Sequence, residues 1–173
     1  ASVVQGDREV DDMEREIERR CLTLLLRQQP VARDLRTIST ALKMITDIER
    51  IGDAAADIAE ITPHLTGEIP EIRVRIVAMA EAAQGMVYDA VNAFVHTDMA
   101  LAEKVIGRDD IVDDAFNDIK VNMVEVLKKD TSLVDVAIDY LMITKYLERL
   151  GDHAVNICEW AEFYNTGIHQ TGR

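Results

Sequence analysis

Aromatic residues make up only 5% of this chain, a single tryptophan among them, so aliphatic side chains and methionine must fill the core that its 48% hydrophobic content allows. Three prolines and eight glycines leave little material for tight turns and favour long helices. The two cysteines, Cys21 and Cys158, stand in helical stretches without CxxC spacing. That excludes a zinc knuckle and a disulfide framework and points to a reduced, intracellular protein. Basic residues are scarce: 19 Lys and Arg against 32 Asp and Glu give a net charge of −13. Such a surface repels nucleic-acid phosphates and anionic lipid and favours cations or basic partners. There is no signal peptide and no run of 18 apolar residues, so no direct membrane insertion is expected. The chain does not start with methionine, which leaves room for an upstream segment.

What the chain does contain is a stretch that occurs twice. Ile48-Glu49-Arg50-Ile51-Gly52-Asp53 returns 99 residues later as Leu147-Glu148-Arg149-Leu150-Gly151-Asp152. Residues 42–61 share eight identities with 141–160, too many for two unrelated helices. An offset of 102 aligns Asp7-x-x-Val10-Asp11-Asp12 with Asp109-x-x-Val112-Asp113-Asp114. The change of offset places a three-residue difference in the interhelix turn, where indels are tolerated. A glycine inside a helix costs about 1 kcal/mol relative to alanine. Its recurrence therefore implies a close approach, of another helix or of a bound group, that a Cβ would block.

Apolar spacing gives five helices. The first covers 7–29 with Asp7 as its cap, and the second runs from Pro30 to about 61. Residues 62–67 are a turn-rich cluster. The third runs over 69–94, the fourth over 98–129 with a possible kink at Gly107, and the fifth over 132–164. The fold class is thus all-α, a tandem repeat of antiparallel bundles. An incomplete first unit spans residues 1–62, a linker 63–68, a three-helix unit 69–165, and a frayed tail 166–173. The first unit holds equivalents of only the last two helices of the second. One flank of its hairpin is expected to be wet, for want of a helix absent here or supplied by another subunit.

Each unit carries acid-x-x-x-Asp on two successive helices: Asp7/Asp11 and Glu49/Asp53, then Asp109/Asp113 and Glu148/Asp152. Spacing of four puts each pair on one helix face, and the hairpin brings both pairs to the same end of the bundle. Without thiolates, such clusters suit hard cations such as Mg²⁺, Mn²⁺, Ca²⁺ or iron. The competing reading is a solvated acidic face neutralised by Arg50 and Arg149. Glu60, Glu159, Asp57 and Asn156 lie one or two turns beyond and read as surface polars. His153 has Ala54 as its counterpart, so it is not expected to be a ligand common to both sites. Arg33 and Arg36 read as solvating a helix start. Trp160 and Tyr164 read as capping the bundle, and the methionines as core filler. His64, His96 and His169 fall in turns or the tail.

The repeated Glu-Arg-Ile/Leu-Gly-Asp, with Gln29-Pro30-Val31-Ala32-Arg33-Asp34-Leu35-Arg36 opening a helix, resembles the PhoU family over nearly the whole chain. The resemblance implies two three-helix bundles in tandem, with the first family helix missing here. It implies a cytoplasmic negative regulator of phosphate uptake and of the phosphate-starvation response. Such a regulator would be an adaptor between the ATPase of a phosphate ABC transporter and a sensor histidine kinase, and not an enzyme. It also implies metal ions, whether iron, zinc, manganese or magnesium, on Asp7, Asp11, Glu49 and Asp53 and on Asp109, Asp113, Glu148 and Asp152. The incomplete first unit points to a homo-oligomer. Two alternatives remain open at this point: a metal-dependent enzyme using the carboxylates, and a regulatory domain of a larger transporter. The enzyme would need a nucleophile or base beside the metal, and the sequence shows no such pairing.

Overall fold

The structure is a computed structural model that describes residues 2–168; His169 and the rest of the tail lie outside the described residues. Its elements are α1 (Ser2–Gln28), α2 (Arg33–Ile61), α3 (Pro70–His96), α4 (Met99–Ile106), α5 (Asp109–Lys129) and α6 (Val134–Thr166). One-turn 3₁₀ segments at Thr62–His64 and Thr131–Leu133 complete the connections. The protein is all-α, as its periodicity predicts.

Three boundaries differ from the sequence reading, each for a local reason. α1 runs from Ser2, so Asp7 lies inside the helix and is not its cap. α2 starts at Arg33, not at Pro30. Pro30 disfavours helical backbone at the residue before it, and Gln29 and Ala32 both take positive φ, 44° and 47°. The turn therefore consumes residues 29–32 before helix can resume. The expected fourth helix is two helices: Gly107 and Arg108 have ψ near −5°, and Asp109 opens α5. The break is fixed from outside, because Arg108 Nη2 donates to Asp89 Oδ2 of α3 at 2.6 Å. The matching position in α1, at Gln5-Gly6, has no such tether and stays helical. Asp98 caps α4, accepting from the Leu101 amide at 3.0 Å.

In the second unit α3, α4, α5 and α6 enclose one core. Ile72, Met79, Met86, Val105, Val112, Ile119 and Ile157 are all essentially inaccessible to solvent. α2 packs along α6, and Met44, Ile48, Ile51 and Ile58 extend the same core. The two helices run antiparallel: Arg36 meets Tyr164, Asp47 meets His153, and Asp57 meets Tyr146. Because α2 and α6 are the repeated helices, the crossing is pseudo-twofold. Asp47 and Tyr146 are repeat mates, as are Asp57 and Asn156, so the Asp47–Asn156 contact at one end mirrors the Asp57–Tyr146 contact at the other.

α1 packs on α2, and nothing in the first unit corresponds to α3. Met13, Ile17, Leu22, Leu24 and Leu35 are correspondingly exposed, the wet flank foreseen for a two-helix unit. Phe94 of α3 and Tyr164 of α6 meet across the α3–α6 seam with ring centroids 6.0 Å apart and planes tilted by 60°, and within α6 Trp160 meets Phe163 edge-on. Among the described residues, no helix is long and apolar enough to cross a membrane.

Candidate metal centres

α1 and α2 bring Asp7, Asp11 and Asp53 together; α5 and α6 bring together Asp109, Asp113 and Asp152. In each triad one carboxylate oxygen per residue lies within 4.8 Å of the others. Oxygens bound to one cation at 2.0–2.6 Å can be no further apart than about 5.2 Å, so each triad can converge on a single ion. The remaining expected residue of each set stands aside. Glu49 is ion-paired to Arg50 at 3.4 Å, and Arg50 also reaches Asp53 at 3.1 Å. Glu148 is held by Lys145. The two centres are therefore not equal: Arg50 and Arg15 engage Asp53 and Asp11 of the first, whereas in the second it is Glu148, outside the triad, that is paired.

The repeated glycines explain how the triads form. An ideal Cβ on Gly52 would fall 2.7 Å from Asp7 Oδ1, and one on Gly151 would fall 3.4 Å from Asp109 Oδ1. Each inner carboxylate thus lies against the wall of the facing helix, and at Gly52 it takes space that only glycine leaves open. Asp7 Oδ1 and Asp109 Oδ1 are both buried without a hydrogen-bond partner, and they are two of only four such side-chain atoms among the described residues. Burying an ionised oxygen unpaired is costly. Its occurrence at equivalent positions of both repeats fits a cation supplied from outside, and an all-carboxylate donor set fits a hard one.

The electrostatics agree. Burial, then the Asp113 and Asp152 charges, push the Asp109 carboxyl up to about 6. Burial is also the first cause raising Asp7, followed by Asp11, Asp53 and Asp57. Asp152 is raised by burial and by Glu148, and Glu49 by burial and by Asp53. Carboxylates crowded so that their protonated forms are favoured hold latent affinity for any other cation.

Two features escaped the sequence reading. Asp47 of α2 is buried and accepts from Asn156 Nδ2 at 3.0 Å, with His153 Nδ1 2.9 Å away, a polar node across the α2–α6 seam. Its partners lie more than a hundred positions away, so no local spacing could reveal it. Arg36 does not serve its own helix start. Its Nη1 donates to the Tyr164 carbonyl at the end of α6, where a cation complements the helix dipole.

The PhoU domain family matches residues 1–62 and 76–161, which takes in both triads. The phosphate-specific transport system accessory protein PhoU homolog of Clostridium acetobutylicum is 38% identical over 167 residues, covering 95% of this chain and 76% of that protein. PhoU homolog 1 of Thermotoga maritima is 34% identical over 95% of this chain and 72% of its own length. Among solved structures, PhoU from Pseudomonas aeruginosa superposes with a TM-score of 0.92 at 33% identity, covering 96% of this chain and 81% of that one. The regulatory protein PhoU from Streptococcus pneumoniae gives 0.87 at 26%, covering 98% and 80%. With the family matched across both repeats and relatives above 30% identical over most of both chains, this chain belongs to the PhoU family.

Proposed function

We propose that this protein is a cytoplasmic, non-enzymatic adaptor that restrains phosphate uptake and the phosphate-starvation response. It would stand between the ATPase of a phosphate ABC transporter and a sensor histidine kinase, with metal ions on its two carboxylate triads. The observation that carries the reading is the family match across both repeats, whose curated members are named as accessory proteins of phosphate-specific transport. A catalytic reading finds little support in the geometry. Cys21 and Cys158 are buried, and His153 is engaged by Asp47, so none of them presents a nucleophile or base to a triad. The exposed flank of the α1–α2 hairpin supports self-association as part of the same reading.

The test is a phosphate-starvation reporter in a bacterium lacking its own PhoU, grown with ample phosphate. Production of this protein is expected to silence the reporter, and Asp53→Asn with Asp152→Asn to relieve the silencing. A reporter that stays fully on, with the protein folded and abundant, would sink the adaptor reading.

A further inference from the structure

Gly52 and Gly151 occupy helix interiors at φ values open to any residue, since Gly167 is the one described glycine with positive φ. Their backbone conformation therefore gives no reason for glycine. Nor does ordinary helix packing at position 52. Apart from Asp7 Oδ1 at 2.7 Å, a Cβ there would meet only Val10 Cγ1 and Cβ, at the comfortable distances of 3.7 and 3.8 Å. What a methyl group would displace is a carboxylate. At position 151 the contacts are looser, 3.4 Å to Asp109 Oδ1 and 3.4 Å to Val112 Cγ1, so a methyl group needs only a few tenths of an ångström.

We propose that Gly52 is a positioning residue of the first metal centre, leaving a gap in the helix wall that seats the inner carboxylate oxygen of Asp7, and that its repeat mate Gly151 is not one. The two positions differ in tolerance. Alanine at 52 turns the Asp7 side chain out of its seat and away from Asp11 and Asp53, whereas alanine at 151 leaves Asp109 nearly in place. The inference rests on the metal reading of the triads, and the experiment separates the two.

Asp152→Asn protein isolates the first centre and Asp53→Asn protein isolates the second, with Mn²⁺ as the probe, followed by calorimetry and electron paramagnetic resonance. Adding Gly52→Ala to the first is expected to weaken Mn²⁺ at least about tenfold, the scale on which shell-positioning residues act. Adding Gly151→Ala to the second is expected to leave affinity within about threefold. Gly52→Ala protein that binds as tightly as its parent overturns the proposal. A second readout needs no metal. In chelator, Gly52→Ala should raise the melting temperature more in an Asp7→Ala background than beside Asp7, because alanine's helix propensity then acts without the clash. Strict additivity of the two substitutions would show that no seat exists. Parent proteins that bind no Mn²⁺ while the cycle shows coupling would refute the metal reading, and with it the role given to Gly52.

Discussion

Replacing Asp109 by asparagine removes a charge from the second triad while keeping the side chain's shape, so its effect on stability can be worked out in advance. The folded protein raises the carboxyl from 3.8 to about 6, chiefly through burial and then through Asp113 and Asp152. That rise corresponds to about 3 kcal/mol. Asp109 also sits at the first position of α5, where the helix dipole favours an anion by about 0.3–1 kcal/mol that asparagine forfeits. The net for this half-buried group is about 2 kcal/mol. The sign follows from the direction of the shift. The folded state holds the proton more tightly than the unfolded one, so the stabilisation is complete below pH 3.8 and is lost as pH rises through about 6. In chelator, the wild type and Asp109→Asn should therefore melt together near pH 4. At pH 7 the variant should be the more stable, by roughly 4–8 °C for a chain of this length. Adding Mn²⁺ should reverse the order, because the wild type gains a ligand that the variant has lost. Melting curves from pH 4 to 8, with and without metal, decide it. A variant less stable than wild type at pH 7 in chelator, or a gap that ignores pH, would refute the account of the crowded triad.

The node on the α2–α6 seam gives a second prediction. Asp47→Ala strips Asn156 and His153 of their shared acceptor and should cost about 2 kcal/mol in urea denaturation. A cost below about 0.5 kcal/mol would mean that the seam does not depend on this contact. Cys158 supplies a third: burial pushes its thiol up to about 12, which leaves almost no thiolate at pH 8. Iodoacetamide should leave it unmodified in the folded protein and modify it on unfolding, whereas rapid labelling of the native state would contradict the packing around α6.

The pseudo-twofold crossing of α2 and α6 places the two carboxylate triads on repeated helices that share one core. The repeated sequence ends in unequal surroundings, though. Asp109 opens a helix whereas Asp7 lies inside one, and Arg50 engages a triad carboxylate whereas Lys145 engages Glu148. The Arg108–Asp89 pair, which has no counterpart in the first unit because nothing there corresponds to α3, accounts for the first of these differences.

The sequence by itself determined the helical class, the repeat and the eight acidic positions from which the triads Asp7, Asp11, Asp53 and Asp109, Asp113, Asp152 are drawn. Apolar periodicity and i,i+4 faces act within one helix and need no partner to be read. It also determined that two helix-interior glycines faced something close. Only the tertiary structure decided what that was, because the approach of Asp7 to Gly52 depends on how α1 is set against α2. The same packing joined Asp47 to Asn156 across 109 positions. It also broke the expected fourth helix at Gly107–Arg108 through a pair with Asp89. Helix propensity is summed over neighbours in the chain, whereas these contacts are fixed by how the helices pack, to which local sequence contributes little.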